Sequence, residues 1–348
     1  MIKHIKPCTR EEIEKITRRR STEEKIGDKV STVKGDWQED LKKSSARFVV
    51  FGIAEDIGVR ANYGREGAAT AFIPALDSFL SQQSNSFLDG SSVFILGEVV
   101  VDDLMDSALN LKKKDKQDMS KLRELVSEID ARVVDVMRFL IDLNKIPIII
   151  GGGHNNAYGN IKGCSQALGK KINVINCDPH LDFRPLEGRH SGNGFSYAYE
   201  EGYVNKYAVV AMHEQYNNTF ALNKFKEHTS DLFYNTYESI FVREDLDFKI
   251  ALKQCIGFVK NEVCGLEIDL DAITNVPSSA KTSSGISPIQ ARQYIHESAL
   301  NLNTLYFHIA EGAPVLSHIK ADNKTGKLIA YLMADYIKAV ETKNLSVI

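Results

Sequence analysis

Seven short apolar runs, at 47–53, 92–100, 146–151, 172–177, 206–212, 262–269 and 303–309, constrain the fold more than any other feature of the sequence. Each is rich in Val, Ile and Phe and bounded by Gly, Asn or Asp, the pattern of strands covered on both faces. Longer amphipathic stretches lie between them. In the clearest, from about 119 to 144, Leu122, Leu125, Val126, Ile129, Val133, Val136, Met137 and Leu140 recur at three and four residues. They form one stripe, with Lys121, Glu124, Glu128, Arg132 and Asp135 largely outside it. The stretches 287–301 and 324–342 read the same way. This alternation predicts an α/β fold with a mainly parallel sheet, right-handed crossovers and helices on both faces. Residues 1–45 are polar and charged and read as a helical or irregular arm over a single domain, 46–348. The stretch 101–118, with its run Lys112-Lys113-Lys114-Asp115-Lys116, reads as a solvated loop.

Composition removes several classes of function. With 43 basic against 46 acidic side chains, the chain lacks the basic excess of a nucleic-acid binder. The apolar runs are far shorter than the ~20 residues of a membrane helix, and the N-terminus has no apolar core of a signal peptide. Five cysteines, odd in number and without CxxC spacing, read as reduced thiols of a cytoplasmic protein.

In a parallel sheet ligands bind outside the carboxyl ends of the strands. There the sequence places its unusual residues. Ile148-Ile149-Ile150 leads into Gly151-Gly152-Gly153-His154, and the run ending at Cys177 leads into Asp178-Pro179-His180-Leu181-Asp182. The run ending at Ile268 leads into Asp269-Leu270-Asp271. In extended chain alternate side chains share a face, so Asp178, His180 and Asp182 can converge, as can Asp269 and Asp271. With His154 they make four carboxylates and two imidazoles.

A lone strand-end DxD is often a helix cap, and a lone histidine after glycines is often a packed one. The glycine run fits neither GxGxxG nor GxxxxGK[ST], so it is no phosphate cradle. Together, however, four carboxylates need countercharge, since each buried anion costs several kcal/mol. Two divalent cations would supply it. Carboxylate and imidazole donors without thiolate suit manganese, with iron, cobalt or zinc as alternatives.

These three motifs, in this order, resemble the metal motifs of the arginase-like ureohydrolases, over roughly residues 46–345. The resemblance implies a three-layer α/β/α fold and two manganese ions. It implies that His154, Asp178, Asp182 and Asp269 hold one ion, and that Asp178, His180, Asp269 and Asp271 hold the other, with Asp178 and Asp269 bridging. Glu311, in Ile309-Ala310-Glu311-Gly312-Ala313-Pro314, matches the acid that binds a substrate amidinium or guanidinium. Gly153 stands where arginases and agmatinases usually carry Asp, and Asp271 is not followed by their DxxDP pattern. Gly151 to Gly159, read as GGGHxxAxG, resembles the formimidoylglutamase branch instead.

The expected reaction is hydrolysis of N-formimidoyl-L-glutamate to L-glutamate and formamide. The alternatives are a guanidino hydrolase that releases urea and a metal-binding pseudoenzyme. Two metals lower the pKa of a bound water towards ~7, Glu311 holds the cationic nitrogens, and Asp182 relays a proton, with His190 as a second shuttle. Arg184 and Asn193 are the candidates for binding substrate carboxylates, and Arg60 or Asn62 forms a weaker one near the mouth. The partner is then a small amidine or guanidine, with no nucleic acid or membrane; a homo-oligomer is compatible.

Overall fold

The structure, a computed structural model, describes residues 2–317 and 323–345; residues 318–322 and 346–348 of the expected 46–348 unit lie outside them. Ten strands form one sheet. In chain order they are β1 (Ile5–Pro7), β2 (Ser31–Thr32), β3 (Phe48–Gly52), β4 (Val93–Val99) and β5 (Ile146–Ile150). There follow β6 (Ile172–Cys177), β7 (Val204–Met212), β8 (Leu232–Thr236), β9 (Cys264–Asp269) and β10 (Thr304–Ala310). The spatial order is β1-β4-β3-β5-β10-β9-β6-β7-β8, with β2 also paired to β4. Every pairing is parallel except β1 with β4.

All seven expected strands form. Their side chains alternate between two cores, as the period of two requires. Ile148 and Ile150 of β5 pack into one layer, with Phe79, Tyr294 and Ile329 from the helices Phe72–Leu80, Pro288–Asn301 and Lys324–Leu345. Ile149 packs into the other, with Leu122, Val133 and Ile161 from the helices Lys116–Asp142 and Asn156–Leu168. The amphipathic stripe of residues 119–144 is thus buried against one face of the sheet, and helices cover both faces. Among the described residues no helix is long and apolar enough to cross a membrane.

Two expectations are refined. Residues 2–45 hold three helices, Arg10–Ile16, Ile26–Lys29 and Trp37–Lys43, and also extend the sheet: β1 and β2 pair in tandem with β4, through Ile5 opposite Val99 and Ser31 opposite Phe94. Strands of three and two residues carry too little periodicity to be read from sequence. They nonetheless cover an edge that would otherwise present free backbone groups. The stretch 101–118 is not a continuous loop. It holds the helix Asp102–Ala108 and the start of the helix Lys116–Asp142, whose cap, Asp115, accepts from the N–H groups of Gln117 and Asp118.

The pairing register positions the site. Ile309 lies opposite both Ile150 and Ile268, and Ile268 lies opposite Cys177. The four central strands therefore end level, and the next residues of the chain leave them side by side.

Candidate metal centre

Each site residue leaves the sheet by a different local device. After β5, Gly151 and Gly152 take positive φ of 83° and 73°, a region glycine enters without penalty. A side chain at Gly152 would put its Cβ 2.3 Å from Asn156 Nδ2. Beneath this turn the buried carboxylate of Glu55 accepts from Gly153 N–H at 2.9 Å and from Asn156 Nδ2 at 2.7 Å. Glu55 escaped the sequence reading, although an acid two residues past an apolar strand was the available signal. Asp182 and Glu311 have φ of 46° and 62°, a conformation that costs a non-glycine residue about 1 kcal/mol or more and concentrates at functional sites.

The six expected ligands converge. His154 Nδ1 lies 3.1 Å from Asp178 Oδ2, 3.3 Å from Asp182 Oδ2 and 3.3 Å from Asp269 Oδ2. His180 Nδ1 lies 3.3 Å from Asp178 Oδ1 and 3.5 Å from Asp271 Oδ2. The six form two ligand groups, His154, Asp178, Asp182 and Asp269, and Asp178, His180 and Asp271, while His154 also stands in a third group with Glu267 and His308. Asp178 belongs to both of the first two; Asp269, expected to bridge as well, falls in the first. Backbone N–H groups hold two of the acids in place, that of His180 on Asp178 at 2.7 Å and that of Asp271 on Asp269 at 2.7 Å.

Electrostatics shows what this cluster lacks. Burial and then the charge of Asp178 push Asp182 up to about 6. Burial, Asp269 and Asp178 together raise Asp271 well above the carboxylate range. Burial disfavours ionised Asp178 and charged His180, but His154 and then His180 outweigh it for Asp178, which is held below the usual range, and Asp178 outweighs it for His180, which is pushed up to about 9. Protons do here the work of a cation. Buried His154 Nδ1 and Asp271 Oδ1 have no hydrogen-bond partner, which is costly unless a ligand meets them. Oxygen and nitrogen donors, unpartnered atoms and repelling acids all fit divalent cations.

His180, Asp182, Asp269, Asp271 and Glu311 open onto a cavity of about 360 Å3. Its walls include Asn62, Arg184, Tyr216 and Ser279. Glu311 is buried, with Oε1 accepting from His154 N–H at 3.0 Å and Oε2 from the Ser279 hydroxyl at 2.7 Å. Burial and the neighbouring Asp269 push its carboxyl up to about 8. Ser279 was not singled out in the sequence; Arg65 fixes its loop by donating to the Ser279 carbonyl at 3.0 Å. A Cβ on Gly153 would approach Asn155 Oδ1 to 2.5 Å and Glu311 Oε1 to 3.3 Å, so an aspartate has no room there.

Of the outer residues, Arg184 and Asn62 reach the cavity and three others do not. His190 is fully buried, its Nδ1 accepting from Gly192 N–H at 3.1 Å and its Nε2 lying 3.1 Å from Glu187. Burial, reinforced by Arg123, Arg184 and Arg189, pushes it down to about 2, so it is no proton shuttle near neutral pH. Asn193 is not a substrate contact: its Oδ1 accepts from Arg189 at 2.6 Å and its Nδ2 donates to the Gly188 carbonyl at 2.8 Å. Arg60 donates to the carbonyls of Ala108 and Leu111 at 2.7 and 3.0 Å. All three support loops.

The chain is 26% identical over 309 residues to a formimidoylglutamase of Streptococcus pyogenes serotype M12, covering 84% of this chain and 86% of that one. The fold matches the crystal structure of formimidoylglutamase from Bacillus subtilis with a TM-score of 0.74 at 16% identity, over 94% of this chain and 95% of that chain. It matches Trypanosoma cruzi formiminoglutamase, solved with Mn2+, with a TM-score of 0.70 at 19% identity, over 92% and 99% of the two chains. The model of the arginase family matches residues 46–338, and with its strand-end carboxylates and histidines the chain belongs to that family.

Proposed function

We propose that the chain is a manganese-dependent amidine hydrolase that converts N-formimidoyl-L-glutamate and water to L-glutamate and formamide. The observation that carries this reading is Glu311, aimed by two hydrogen bonds into the cavity onto which Asp182, Asp269 and Asp271 also open. The likeness to formimidoylglutamases along more than four-fifths of the chain supports the choice of substrate.

In this reading His154, Asp178, Asp182 and Asp269 would hold one ion, and Asp178, His180, Asp269 and Asp271 would hold the other. The two ions supply a water of lowered pKa at neutral pH. Glu311 accepts charge-assisted hydrogen bonds from the amidinium nitrogens and fixes the planar carbon before attack. Because Ser279 and the His154 amide already occupy one site on each oxygen, the carboxylate cannot swing away. Asp182, which opens onto the cavity, would take the proton lost by the attacking water and pass it to the departing amine of glutamate. Arg184, on the cavity wall, takes a substrate carboxylate. The five cysteines, all free and buried, support the expected cytoplasmic setting.

The test offers manganese-loaded protein formimidoylglutamate, arginine, agmatine and guanidinobutyrate in parallel. Formamide release from the first is the expected result. Urea from any of the others overturns the substrate assignment, and silence on all four overturns the assignment as an enzyme of this class.

A further inference from the structure

A second buried polar group lies beneath the ligands. Glu267 on β9, Tyr306 and His308 on β10 and Tyr294 on the helix Pro288–Asn301 are all fully buried, and Leu266, Ile268, Phe307 and Ile309 flank the strand residues along the chain. Glu267 sits on β9 two residues before Asp269, and its partner across the ladder on β10 is His308. The Tyr306 hydroxyl donates to Glu267 Oε1 at 2.6 Å, and His308 Nδ1 lies 2.6 Å from Oε2. The Tyr294 hydroxyl holds the Glu267 carbonyl at 2.9 Å. Gly265 makes room for this arrangement: a Cβ there would fall 2.4 Å from the Tyr306 hydroxyl.

The oxygen that meets His308 also faces His154, whose buried Nε2 has no hydrogen-bond partner. Glu267 Oε2 lies 3.5 Å from His154 Nε2, the ring nitrogen turned away from the aspartates. Phe195 meets the His154 ring edge-on at 5.1 Å and His308 does so at 5.8 Å. A histidine ring offers two nitrogens, and only the one without a proton can take a metal. A carboxylate at one nitrogen draws the N–H to that side and leaves the lone pair on the other.

We propose that Glu267 is the positioning residue of the metal centre: it fixes His154 with Nε2–H towards itself and the Nδ1 lone pair towards Asp178, Asp182 and Asp269. Tyr306 and His308 fix Glu267 in turn. Such outer partners of metal-bound histidines contribute ~10–100-fold in metal affinity. The hydrogen bonds of Tyr306 and His308, with His154 beside them, also explain how a carboxylate is tolerated so deep in the sheet. The inference rests on the reading of the strand-end cluster as a metal centre, and it divides the two ligand groups. His154 belongs to the first and is absent from the second, which contains His180.

The full-length protein, stripped with chelator and titrated with manganese, tests this by calorimetry and electron paramagnetic resonance. Wild type takes up two ions. Glu267→Gln, of the same shape, loses ~10–100-fold in affinity for one ion and keeps the other, and the spectrum of a coupled pair gives way to that of isolated ions. Tyr306→Phe shows the same pattern with a loss of less than tenfold. Two ions bound at wild-type affinity with an unchanged spectrum in both variants overturns the inference, whatever happens to thermal stability, because a purely structural network would move only the melting temperature. If Glu267→Gln does not fold, Tyr306→Phe decides by the same criteria. Wild type that takes up no manganese overturns the metal reading, and this inference with it; indifferent variants overturn this inference alone.

Discussion

Two buried charged regions lie on either side of the loop after β6, and they handle charge in opposite ways. Behind the loop, Arg189 and Asp130 face each other, with Nε–Oδ2 at 2.8 Å and Nη2–Oδ1 at 3.3 Å. Arg189 also donates to Asn193 Oδ1 and to the Asn155 carbonyl, so every charge there has its partner. In front, four aspartates crowd two histidines and leave His154 Nδ1 and Asp271 Oδ1 unpartnered. A neutralised buried network holds a shape. An unneutralised one holds a place for something else.

The difference can be broken by mutation. The largest effect is expected from the front region: Asp269→Ala removes an acid with several kcal/mol of charge stabilisation at stake, so kcat/KM for formimidoylglutamate falls by ~10³-fold or more. Manganese content, measured on the same sample, falls with it; full activity with two ions retained would sink the ligand assignment. Asp130→Ala strikes behind the loop and leaves Arg189 buried and unpaired. Denaturant unfolding is expected to show a loss of ~3–5 kcal/mol in stability while the manganese stoichiometry stays at the wild-type value. A variant of wild-type stability but altered stoichiometry would erase the distinction between the regions.

Acid sharpens the comparison next. Ions entering the front region must displace protons from His154 and Asp271, both raised well above their usual ranges, and from His180, raised to about 9, and below about 6 from Asp182 as well. A ligand that competes with protons binds more weakly as pH falls, by about tenfold per unit for each proton displaced. Manganese affinity of the stripped protein should therefore rise from pH 6 to pH 9, with proton release visible in buffers of different ionisation enthalpy. A flat profile would mean that these groups carry no proton to displace. The smallest effect belongs to the rim. Arg184 is 44% exposed at its side chain and also faces Glu187 at 3.2 Å, so Arg184→Ala should raise KM about fivefold, with kcat nearly unchanged, as a contact worth ~1 kcal/mol would. An unaltered KM would remove Arg184 from the substrate site.

The same contrast explains what the sequence revealed. Strands buried on both faces announce themselves as unbroken runs of Val, Ile and Phe, and all seven were legible. β8 was missed because an edge strand, Leu232-Phe-Tyr-Asn-Thr, is only half covered and carries polar residues. The front region was legible because its residues repeat a chemical type at the ends of successive strands. His190 and Asn193 were misjudged because sequence shows proximity to a motif but not which way a loop turns its side chains. The deeper partners left a faint trace. Glu55 follows a strand, and Glu267 and His308 interrupt β9 and β10 where every neighbour is apolar. A charged residue within such a run marks a partner as clearly as one at its end.

The level ending of β5, β10, β9 and β6 has a further meaning. Because Ile150, Ile309, Ile268 and Cys177 align across hydrogen-bond ladders, ligand spacing is inherited from backbone register rather than tuned residue by residue. A strand that slipped by one position would turn its aliphatic side chains into the opposite layer, so the packing of both cores guards the alignment of the acids. The walls built from the loops around Arg184 and Ser279 carry no such obligation. Specificity and ligand geometry are therefore separately inherited: the cavity can be re-cut for another amidine while the ladder keeps the ions' seat unchanged.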